Sequence, residues 1–406
     1  MAYSNSEVLD VLDEMPHGGG EHYSKEEGKL HPDAADVTVS TLSELEEAAG
    51  PDHVIHIDSD IEFGSTELDI GRSTLVGDRG WDGSEGALLS TGVEGHTGGG
   101  TGSDRPYTML YSTATEGAPR VTGLRLRGAS HDREEYAPND PEVYPGNLAR
   151  AITLQGEGGE VDNCEIWGWT WAGVHVKGCI EEDRWTDDAH VHHCHLHTSK
   201  QDGYGYGIDV WMGFAEIDHV YCNDQRHAIT GQGRYRCGYR ARELVVGPDQ
   251  FGHTIDMHCL TENDISYDTT EEDPDFGLRA GGVVEVRDST FLHDSAAVAT
   301  CRGQPWERFE LVDCRISHDA IPESNSGNDR AGSWYQQNVH GVTGNDGERY
   351  DPLVPDGEFT DRWGTSGNET GASDPDVAWS PDRGASIDFE NPEDSPAYRG
   401  YDDPEA

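Results

Sequence analysis

The feature that most constrains the fold is an apolar pattern that returns along the chain from residue 121 onward. In each unit an aliphatic residue is followed three positions later by a small or apolar residue and five positions later by another apolar one. The units begin at Val121, Val161, Val191, Ile217, Ala241, Val286 and Leu311. Most starts are separated by roughly 24–30 residues, which suits a coil of three short strands per turn.

Most units also end in a second apolar segment whose central aliphatic residue would point into the coil. These central residues are Val174, Ile208, Ile229, Ile255 and Val298. A single repeat cannot bury its apolar face alone, so the units must stack continuously. No stretch holds a helical period of 3.6, and a β-propeller would need about forty residues and four strands per unit. The sequence therefore predicts an all-β parallel β-helix over residues 37–321.

The composition of the segments outside the repeats indicates what structure they form. Residues 1–36 are polar and aperiodic, which predicts a mobile or loosely packed N-terminal arm. Residues 322–406 are rich in Gly, Asp, Pro, Asn and Glu, which predicts a loop-rich C-terminal segment. Residues 81–119 are rich in Gly, Ser and Thr, which predicts an insertion or a long loop.

The start of the coil carries a helix signal followed by strand signals. Val39–Gly50 predicts a short helix, with Thr41 or Ser43 as its N-cap because each has a glutamate three residues later. His53–Asp58 and Ser73–Asp78 are typical of short strands. A helix followed by strands that end in TLVGDRG resembles the entry of the pectate-lyase-like superfamily (the pectin lyase fold).

That resemblance implies a right-handed parallel β-helix with a capping N-terminal helix and a polysaccharide lyase activity. The Arg-x-Pro-x-x-Arg pattern that carries the family's base is absent from this chain. We therefore transfer no catalytic residue from the family. The same coil hosts lyases, hydrolases, epimerases and non-catalytic adhesins, so function has to be argued from the site.

The charge of the chain restricts its partners. The formal net charge is −51, with 79 acidic residues against 28 basic ones. Such a composition resembles proteins of extreme halophiles, whose carboxylate surfaces stay soluble in concentrated salt. A nucleic-acid partner is not expected, because there is no basic patch to neutralise phosphates. No apolar run reaches membrane-spanning length, and the N-terminus has no signal-peptide pattern, so the compartment stays open.

Residues 203–258 concentrate His, Asp, Arg and Tyr among short apolar segments. In a strand, neighbouring side chains point to opposite faces. If the central aliphatic residues point inward, the residues that follow them form an outward column with about 4.8 Å between rungs. That column would consist of His175, Asp209, Thr230 and Asp256. His227 and His253 begin equivalent strands and would lie one rung apart.

An outward column of this kind resembles the groove of polysaccharide lyases, which cleave uronic-acid polymers by β-elimination. The reaction needs a cation at the sugar carboxylate, a base for the neighbouring C–H and an acid for the departing oxygen. The candidate cation is Arg226, and the candidate base is His227, His253 or His258. The candidate acid is Tyr235 or Tyr239. The expected substrate-binding residues are His175, Tyr204, Tyr206, Arg234, Arg240 and Arg242.

Asp209 and Asp256 offer oxygen ligands for Ca²⁺, which is the cofactor that the sequence suggests for this column. Two rungs apart, they also meet the spacing of a glycoside hydrolase, which is the first alternative function. The second alternative is a non-catalytic carbohydrate-binding or adhesion coil. A single outward polar column is more often solvated surface than an active site. The expected partner in every case is an acidic polysaccharide or another glycan.

The run Asp188–Lys200 is a second candidate site because it is rich in histidine. His193, His195 and His197 are expected on one face of a strand, and His190 and His192 on the other. Alternating histidines on a strand can bind Zn²⁺ or Ni²⁺, although surface histidines on an acidic protein explain the run as well. The repeated cysteines Cys164 and Cys194 are expected to stack inside the coil as small apolar residues.

Overall fold

The computed structural model describes residues 4–25, 27–93, 106–113, 117–133, 148–156, 158–178, 186–201, 203–211, 213–231, 237–258 and 281–293, and the short stretches 298–301, 308–312, 314–317, 323–324, 335–337 and 340–342. Over these residues the chain forms a right-handed parallel β-helix. Every strand pairs with its neighbours in parallel, and the strands form three sheets. The described residues contain few helices. The predicted fold class is confirmed.

Each coil contributes one strand to each sheet in turn. Sheet I contains β1 (Val37–Val39), β2 (Val54–Ile57), β5 (Thr74–Val76), β8 (Arg120–Thr122), β11 (Glu160–Asp162), β14 (Thr186–His192), β17 (Gly213–Asp218), β20 (Gly238–Arg242), β23 (Val283–Arg287), β26 (Arg308–Val312) and β29 (Tyr335–Gln337). Sheet II contains β3 (Ile61–Glu62), β6 (Leu88–Ser90), β9 (Arg125–Arg127), β12 (Glu165–Trp167), β15 (His195–Ser199), β18 (Tyr221–Gln225), β21 (Val245–Val246), β24 (Thr290–Phe291), β27 (Arg315–Ser317) and β30 (His340–Val342).

Sheet III carries the candidate site on its outer face. It contains β4 (Leu68–Asp69), β7 (Tyr107–Ser112), β10 (Ala149–Leu154), β13 (Ala172–Lys177), β16 (Tyr206–Trp211), β19 (His227–Gly231), β22 (Ile255–Met257), β25 (Ala299–Cys301) and β28 (Glu323–Ser324). Val174, Ile208, Ile229 and Ile255 face one another in register, as predicted. The next partner of Ile255 is Ala299 rather than Val298, so that part of the prediction was one residue out of register.

The repeats read from the sequence match the strand register. The first residues of the units, from Val121 to Leu311, face one another along sheet I. The third residues, from Leu126 to Ile316, face one another along sheet II. Cys164 and Cys194 are fully buried free thiols inside the coil, as expected. The periodic residues therefore form one continuous apolar core.

The capping helix also follows the prediction. Helix α2 spans Leu42–Ala48, and the Thr41 side chain accepts a hydrogen bond from the backbone N–H of Glu44 at its N-terminus. Leu45 on this helix is fully buried in the core. The helix therefore covers the apolar end of the first coils, where no further rung lies beneath β1.

The N-terminal segment departs from the prediction, because it packs tightly against the coil. Helix α1 (Asn5–Leu12) begins with a capping box between Ser4 and Glu7, and a short 3₁₀ helix follows at Pro32–Ala34. A second apolar cluster joins this segment to the outside of the coil; it consists of Val8, Leu12, Met15, Tyr221, Val245 and Leu292. The segment is polar in average composition, but its few apolar residues lie on one buried face. The prediction of a mobile or loosely packed arm was therefore wrong.

Two other boundaries differ from those read in the sequence. Residues 81–119, expected as an insertion or loop, contribute β6 and β7 to the coil. Strands β28, β29 and β30 continue all three sheets beyond residue 321. In both places the strands lie among Gly-rich or Asp-rich residues, so the average composition did not indicate them. No helix among the described residues is long and apolar enough to cross a membrane.

Candidate functional site

A cavity of about 510 Å³ lies on the outer face of sheet III. Strands β7, β10, β13 and β16 form its floor, and residues at their ends form its walls. Its charged and aromatic lining residues include Arg150, Trp171, Lys177, Tyr204, Trp211 and His258. We call this cavity the groove.

The polar column predicted from the repeats runs along the groove. His175, Asp209, Thr230 and Asp256 occupy one register position on four successive strands. The four side chains are nevertheless buried, with exposures of 1% or less. Trp171 contributes to this cover, because its indole N–H donates to Asp209 at 3.0 Å. The column is therefore an ordered layer beneath the groove surface rather than a solvated shelf.

His175 and Asp209 form a buried pair on neighbouring rungs. Nδ1 of His175 lies 2.9 Å from Oδ2 of Asp209. Burial, followed by the nearby charge of Arg150, lowers the pKa of His175 to about 4. Burial opposes ionisation of Asp209, but its contacts with His175, Arg150 and Trp171 outweigh it and hold the pKa of Asp209 below its ordinary value. At neutral pH the pair is thus a neutral imidazole beside a carboxylate.

Arg150 is the principal cation of the groove. Its guanidinium carbon lies 3.6 Å from the centre of the Trp171 ring, a cation–π contact. Burial lowers the pKa of Arg150 to about 10 against the opposing charge of Asp209, so the group stays protonated at neutral pH. Its Nε is buried without a hydrogen-bond partner among the described residues. A guanidinium in this position can bind an anion in the groove.

Lys177 supplies a second positive charge to the groove lining. Its Nζ lies 5.3 Å from the centre of the Trp211 ring. Tyr204 stands beside Trp171, with 4.9 Å between ring centres. Together these side chains combine two cations with broad aromatic faces. Such a lining suits a ligand that is both ring-shaped and anionic.

A His–Asp–His arrangement closes one end of the groove. The Nε2 atoms of His227 and His258 lie 3.2 and 3.0 Å from the same Oδ2 of Asp256. His227 also contacts the backbone carbonyl of His253 through Nδ1, and its ring stacks on those of Tyr206 and His253. His227 and His253 therefore lie one rung apart, as predicted, and their rings also stack.

The three histidines offered as bases differ in access. His227 is fully buried, and burial lowers its pKa well below the ordinary value against the opposing charge of Asp256. His253 is partly exposed but does not line the groove. The His258 side chain is 23% exposed and does line it. His258 is therefore the member of this set that a groove ligand can touch.

Several predicted site residues lie elsewhere. Tyr239 is on β20 of sheet I with its ring in the core, and its hydroxyl donates to the backbone carbonyl of Asp256 at 3.1 Å. Arg240 and Arg242 are on the outer face of the same strand, within 3.9 Å of the carboxylates of Glu216 or Glu285. Strand alternation places these residues away from the groove, so their expected roles were wrong. Arg234 and Tyr235 lie outside the described residues.

The remaining predicted residues lie at the groove or beside it. Tyr206 lines the groove, and its hydroxyl donates to the carbonyl of Gly203 at 2.8 Å. Burial raises the pKa of Tyr206. Arg226 precedes β19, with Nη1 3.4 Å from the Tyr206 hydroxyl. Arg226 therefore supports the groove wall through Tyr206 and does not line the cavity itself.

Asp209 and Asp256 were proposed as Ca²⁺ ligands, and that role stays a prediction. Asp209 faces an imidazole and an indole N–H, and Asp256 faces two imidazoles. Ca²⁺ prefers six to eight oxygen ligands. The donors around Asp256 are nitrogen-rich and better matched to a transition metal, but its contacts have hydrogen-bond lengths.

The histidine-rich run does not form one strand. His190 and His192 lie on β14 of sheet I, and His195 and His197 lie on β15 of sheet II. His193 is at the turn between them with φ of 50°, so it does not share a face with His195 and His197 as expected. Nε2 of His190 lies 2.7 Å from Asp218, and Nε2 of His197 lies 3.2 Å from Glu165. Each of these two histidines is thus matched by a carboxylate on a neighbouring rung.

Arg150, Trp171, Lys177 and Trp211 are the groove residues that sequence reasoning missed. Three of them stand next to or at the ends of the apolar segments whose central residues were recognised. The signal that could have found them is the pairing of the segment ends in register, since Lys177 faces Trp211. Arg150 lies on β10, which comes before the first of the second apolar segments recognised in the sequence, the one centred on Val174.

The chain matches no protein-family model and no curated protein. The case for a function therefore depends on the geometry of the groove.

Proposed function

We propose that this protein cleaves a uronic-acid-containing polysaccharide by β-elimination in the groove on sheet III. One observation carries the proposal. In a chain of net charge −51, the Lys, Arg, Asp and Glu side chains that line this cavity in the described part of the chain are two cations, Arg150 and Lys177, and one carboxylate, Asp209, which is already paired with His175. A locally positive cavity on a very acidic surface attracts an anionic ligand.

The aromatic lining supports a sugar ligand over other anions. Trp171, Trp211 and Tyr204 border the cavity with broad ring faces. Sugar rings present apolar C–H faces that pack on aromatic rings, while their hydroxyls and carboxylates need polar partners. Thr153 and Gln155 supply polar groups on the same floor. The groove thus combines a stacking surface with hydrogen-bonding and charged groups, as ligand sites commonly do.

The residues can be assigned to the three requirements of the reaction. Arg150 neutralises the sugar carboxylate, which makes the C–H on the adjacent carbon acidic. His258 removes that proton, with Asp256 behind it to orient the imidazole and stabilise its protonated form. The electron pair of the broken C–H bond forms a carbon–carbon double bond and expels the glycosidic oxygen. Tyr204 donates a proton to that oxygen as it leaves.

A glycoside hydrolase in the same groove has less support. Asp209 and Asp256 are two rungs apart, or about 9.6 Å at 4.8 Å per rung. That separation is within reach of an inverting pair. However, both carboxylates are buried and held by imidazoles, and Asp256 does not line the cavity. A general base of this kind would need direct contact with a water in the groove.

The test is ultraviolet absorbance of unsaturated uronate products. The protein is held in concentrated KCl with pectate, alginate, hyaluronan or glucuronan, in separate reactions with EDTA or with Ca²⁺. The proposal predicts rising absorbance with at least one polymer and its loss in His258→Gln. New reducing ends without absorbance would replace it with the hydrolase. Binding without either signal, in a protein shown to be folded, would leave a non-catalytic carbohydrate-binding coil.

A further inference from the structure

A second cluster of polar groups lies under the N-terminal segment, at the turns between sheets I and II, whereas the groove is on sheet III. Residues 16–29 run across the turns that join sheet I to sheet II. The N–H of Gly18 donates to the carbonyl of His219 at 3.0 Å, and the N–H of Gly20 donates to the side chain of Asn163 at 2.8 Å. Lys29 donates to the carbonyls of Gly20 and Gly80 at 2.6 and 2.7 Å. These contacts fix the segment over the turns.

The turns present one polar side chain per rung. Asn163, His193, His219 and Glu243 occupy the same turn position on four successive rungs, with φ between 50° and 53°. The rings of His193 and His219 stack with 4.7 Å between centres and 3° between planes. The turn ladder therefore places two imidazoles and a carboxylate next to one another beneath residues 16–20.

His17 enters this ladder from the N-terminal segment. Its side chain is completely buried, yet neither ring nitrogen has a hydrogen-bond partner among the residues that the structure describes. Its Nε2 lies 3.8 Å from Oε2 of Glu243, and within the same part of the chain that oxygen and Nε2 of His193 are also buried without hydrogen-bond partners. Leaving buried polar groups unsatisfied costs about 1–3 kcal/mol each. Several such atoms in one place indicate that an additional group belongs there.

His219 is oriented as a metal-binding histidine usually is. Its Nδ1 lies 3.1 Å from Oδ1 of Asp218, so Nδ1–H donates to this carboxylate and Nε2 keeps a free lone pair. Metal-binding histidines commonly donate their second N–H to a carboxylate in this way. The ligand atoms available from His17, His219 and Glu243 all lie within 4.8 Å of one another.

We infer that His17, His219 and Glu243 bind a divalent transition-metal ion of the Zn²⁺ type. Bonds of about 2.05 Å at tetrahedral angles separate two ligand atoms by about 3.3 Å. The 3.8 Å between His17 and Glu243 is too long for a hydrogen bond and about 0.5 Å more than that separation, so a small approach of the two side chains would bring both atoms to an ion.

The proposed ion links the N-terminal segment to the turn ladder. His17 belongs to the segment, and His219 and Glu243 belong to two successive turns of the coil. The His219 side chain is 28% exposed, which leaves a path for the ion to enter. Binding would therefore stabilise the docked segment, because the three ligands come together only when it is in place. This site is separate from the groove and does not depend on the proposed function.

The experiment uses the full chain after removal of metal with EDTA, and Co²⁺ and Zn²⁺ as probes. Calorimetry gives the number of bound ions, and Co²⁺ absorption reports tetrahedral coordination by nitrogen and oxygen. We expect His17→Ala and Glu243→Gln each to lose one equivalent of bound ion, with an affinity at least 100-fold weaker at this site. The matched control is His53→Ala, an exposed histidine whose Nδ1 lies 3.0 Å from the carbonyl oxygen of Ala48, which should keep that equivalent.

Limited proteolysis and thermal unfolding give a second readout. Zn²⁺ should raise the melting temperature of the parent and slow cleavage within residues 13–31, with neither effect in His17→Ala or Glu243→Gln. Equal stoichiometry and affinity in the parent and Glu243→Gln would overturn the inference. So would Zn²⁺ protection of the segment that is unchanged by His17→Ala.

Discussion

The outer faces of sheets I and III have the same backbone geometry, but the arginines on them have different neighbours. On sheet I, Arg240 lies in register with Glu216 and Glu285 on the two neighbouring strands, at 3.0 and 3.5 Å. On sheet III, the guanidinium of Arg150 stacks on Trp171, and the nearest column carboxylate, Asp209, is already paired with His175.

The difference separates a solvated face from a binding site. Rung spacing puts side chains of neighbouring strands about 4.8 Å apart on every face of the coil. Where carboxylates fill the adjacent rungs, the arginine charge is cancelled and the face needs no ligand. Arg150 instead faces Thr108 and Ala172 on the adjacent rungs, and its charge is retained beside the ring of Trp171 in a partly desolvated cavity. A column of titratable residues therefore indicates a site only when its charges are not matched in register.

The largest expected effect comes from exchanging the histidine at the groove. His258→Gln removes the proposed proton acceptor and should lower kcat/KM by about 10²–10⁴-fold. The matched control is His190→Gln on sheet I, where the histidine is also held by an aspartate, Asp218 at 2.7 Å. Initial rates of unsaturated-product formation measure both. Equal rates for the two variants would remove the distinction between the faces.

The two faces should also respond oppositely to pH. Burial lowers the pKa of His175 to about 4, so the unfolded chain binds more protons and stability falls as the pH drops from about 6.5 toward 4. The full difference of roughly 2.5 units corresponds to about 3 kcal/mol. Urea unfolding across this range should show that the free energy of unfolding falls less with acidification in His175→Gln than in the parent.

The pH dependence of stability that comes from His190 on sheet I has the opposite sign. Burial would lower its pKa, but the contact with Asp218 outweighs burial and raises it. Its contribution is therefore present below about pH 6.5 and is lost as the pH rises through the raised value. In His190→Gln this alkaline loss should disappear. The same pH profile in both histidine variants would show that the two faces do not differ in this respect.

A smaller effect on the kinetics is expected when the aromatic residue next to each of the two arginines is replaced. Trp171→Leu removes the ring beneath Arg150 and should raise KM about tenfold with a smaller change in kcat, because the ring binds sugar and places the guanidinium. Phe214→Leu is the control, since the Phe214 ring lies 5.3 Å from Arg240 on sheet I. Steady-state kinetics in concentrated KCl separates KM from kcat. An unchanged KM in Trp171→Leu would argue against sugar stacking at this position.

The sequence predicted the coil and the column because both follow from period and alternation. Val121 and its successors recur at the strand spacing, and the residue after each inward aliphatic on sheet III has to point outward. It could not predict that Trp171 covers Asp209, because a covering side chain belongs to a different position on the coil. It also offered Tyr239 as the acid at the groove, whereas strand alternation on β20 turns the ring of Tyr239 into the core.

The N-terminal segment shows a second limit of sequence reasoning. Its average composition is polar, and composition alone favours an arm that does not pack. Its buried contacts come from a few spaced residues such as Met15, His17 and Tyr23. Their partners, such as Tyr221, Glu243 and Asp162, lie far along the chain on strands and turns of the coil, and no local pattern connects them. Pairings of this kind depend on the completed coil and become visible only in the structure.

The measurement that tests the central claim most directly is the paired replacement of Arg150 and Arg240 by methionine. Each change removes one positive charge while keeping an unbranched apolar side chain. Binding of a uronate oligosaccharide is followed by tryptophan fluorescence in concentrated KCl, together with the rate of unsaturated-product formation. The account predicts that Arg150→Met weakens binding at least tenfold and slows the reaction further, while Arg240→Met changes neither. Equal effects of the two variants, or full binding by Arg150→Met, would contradict it.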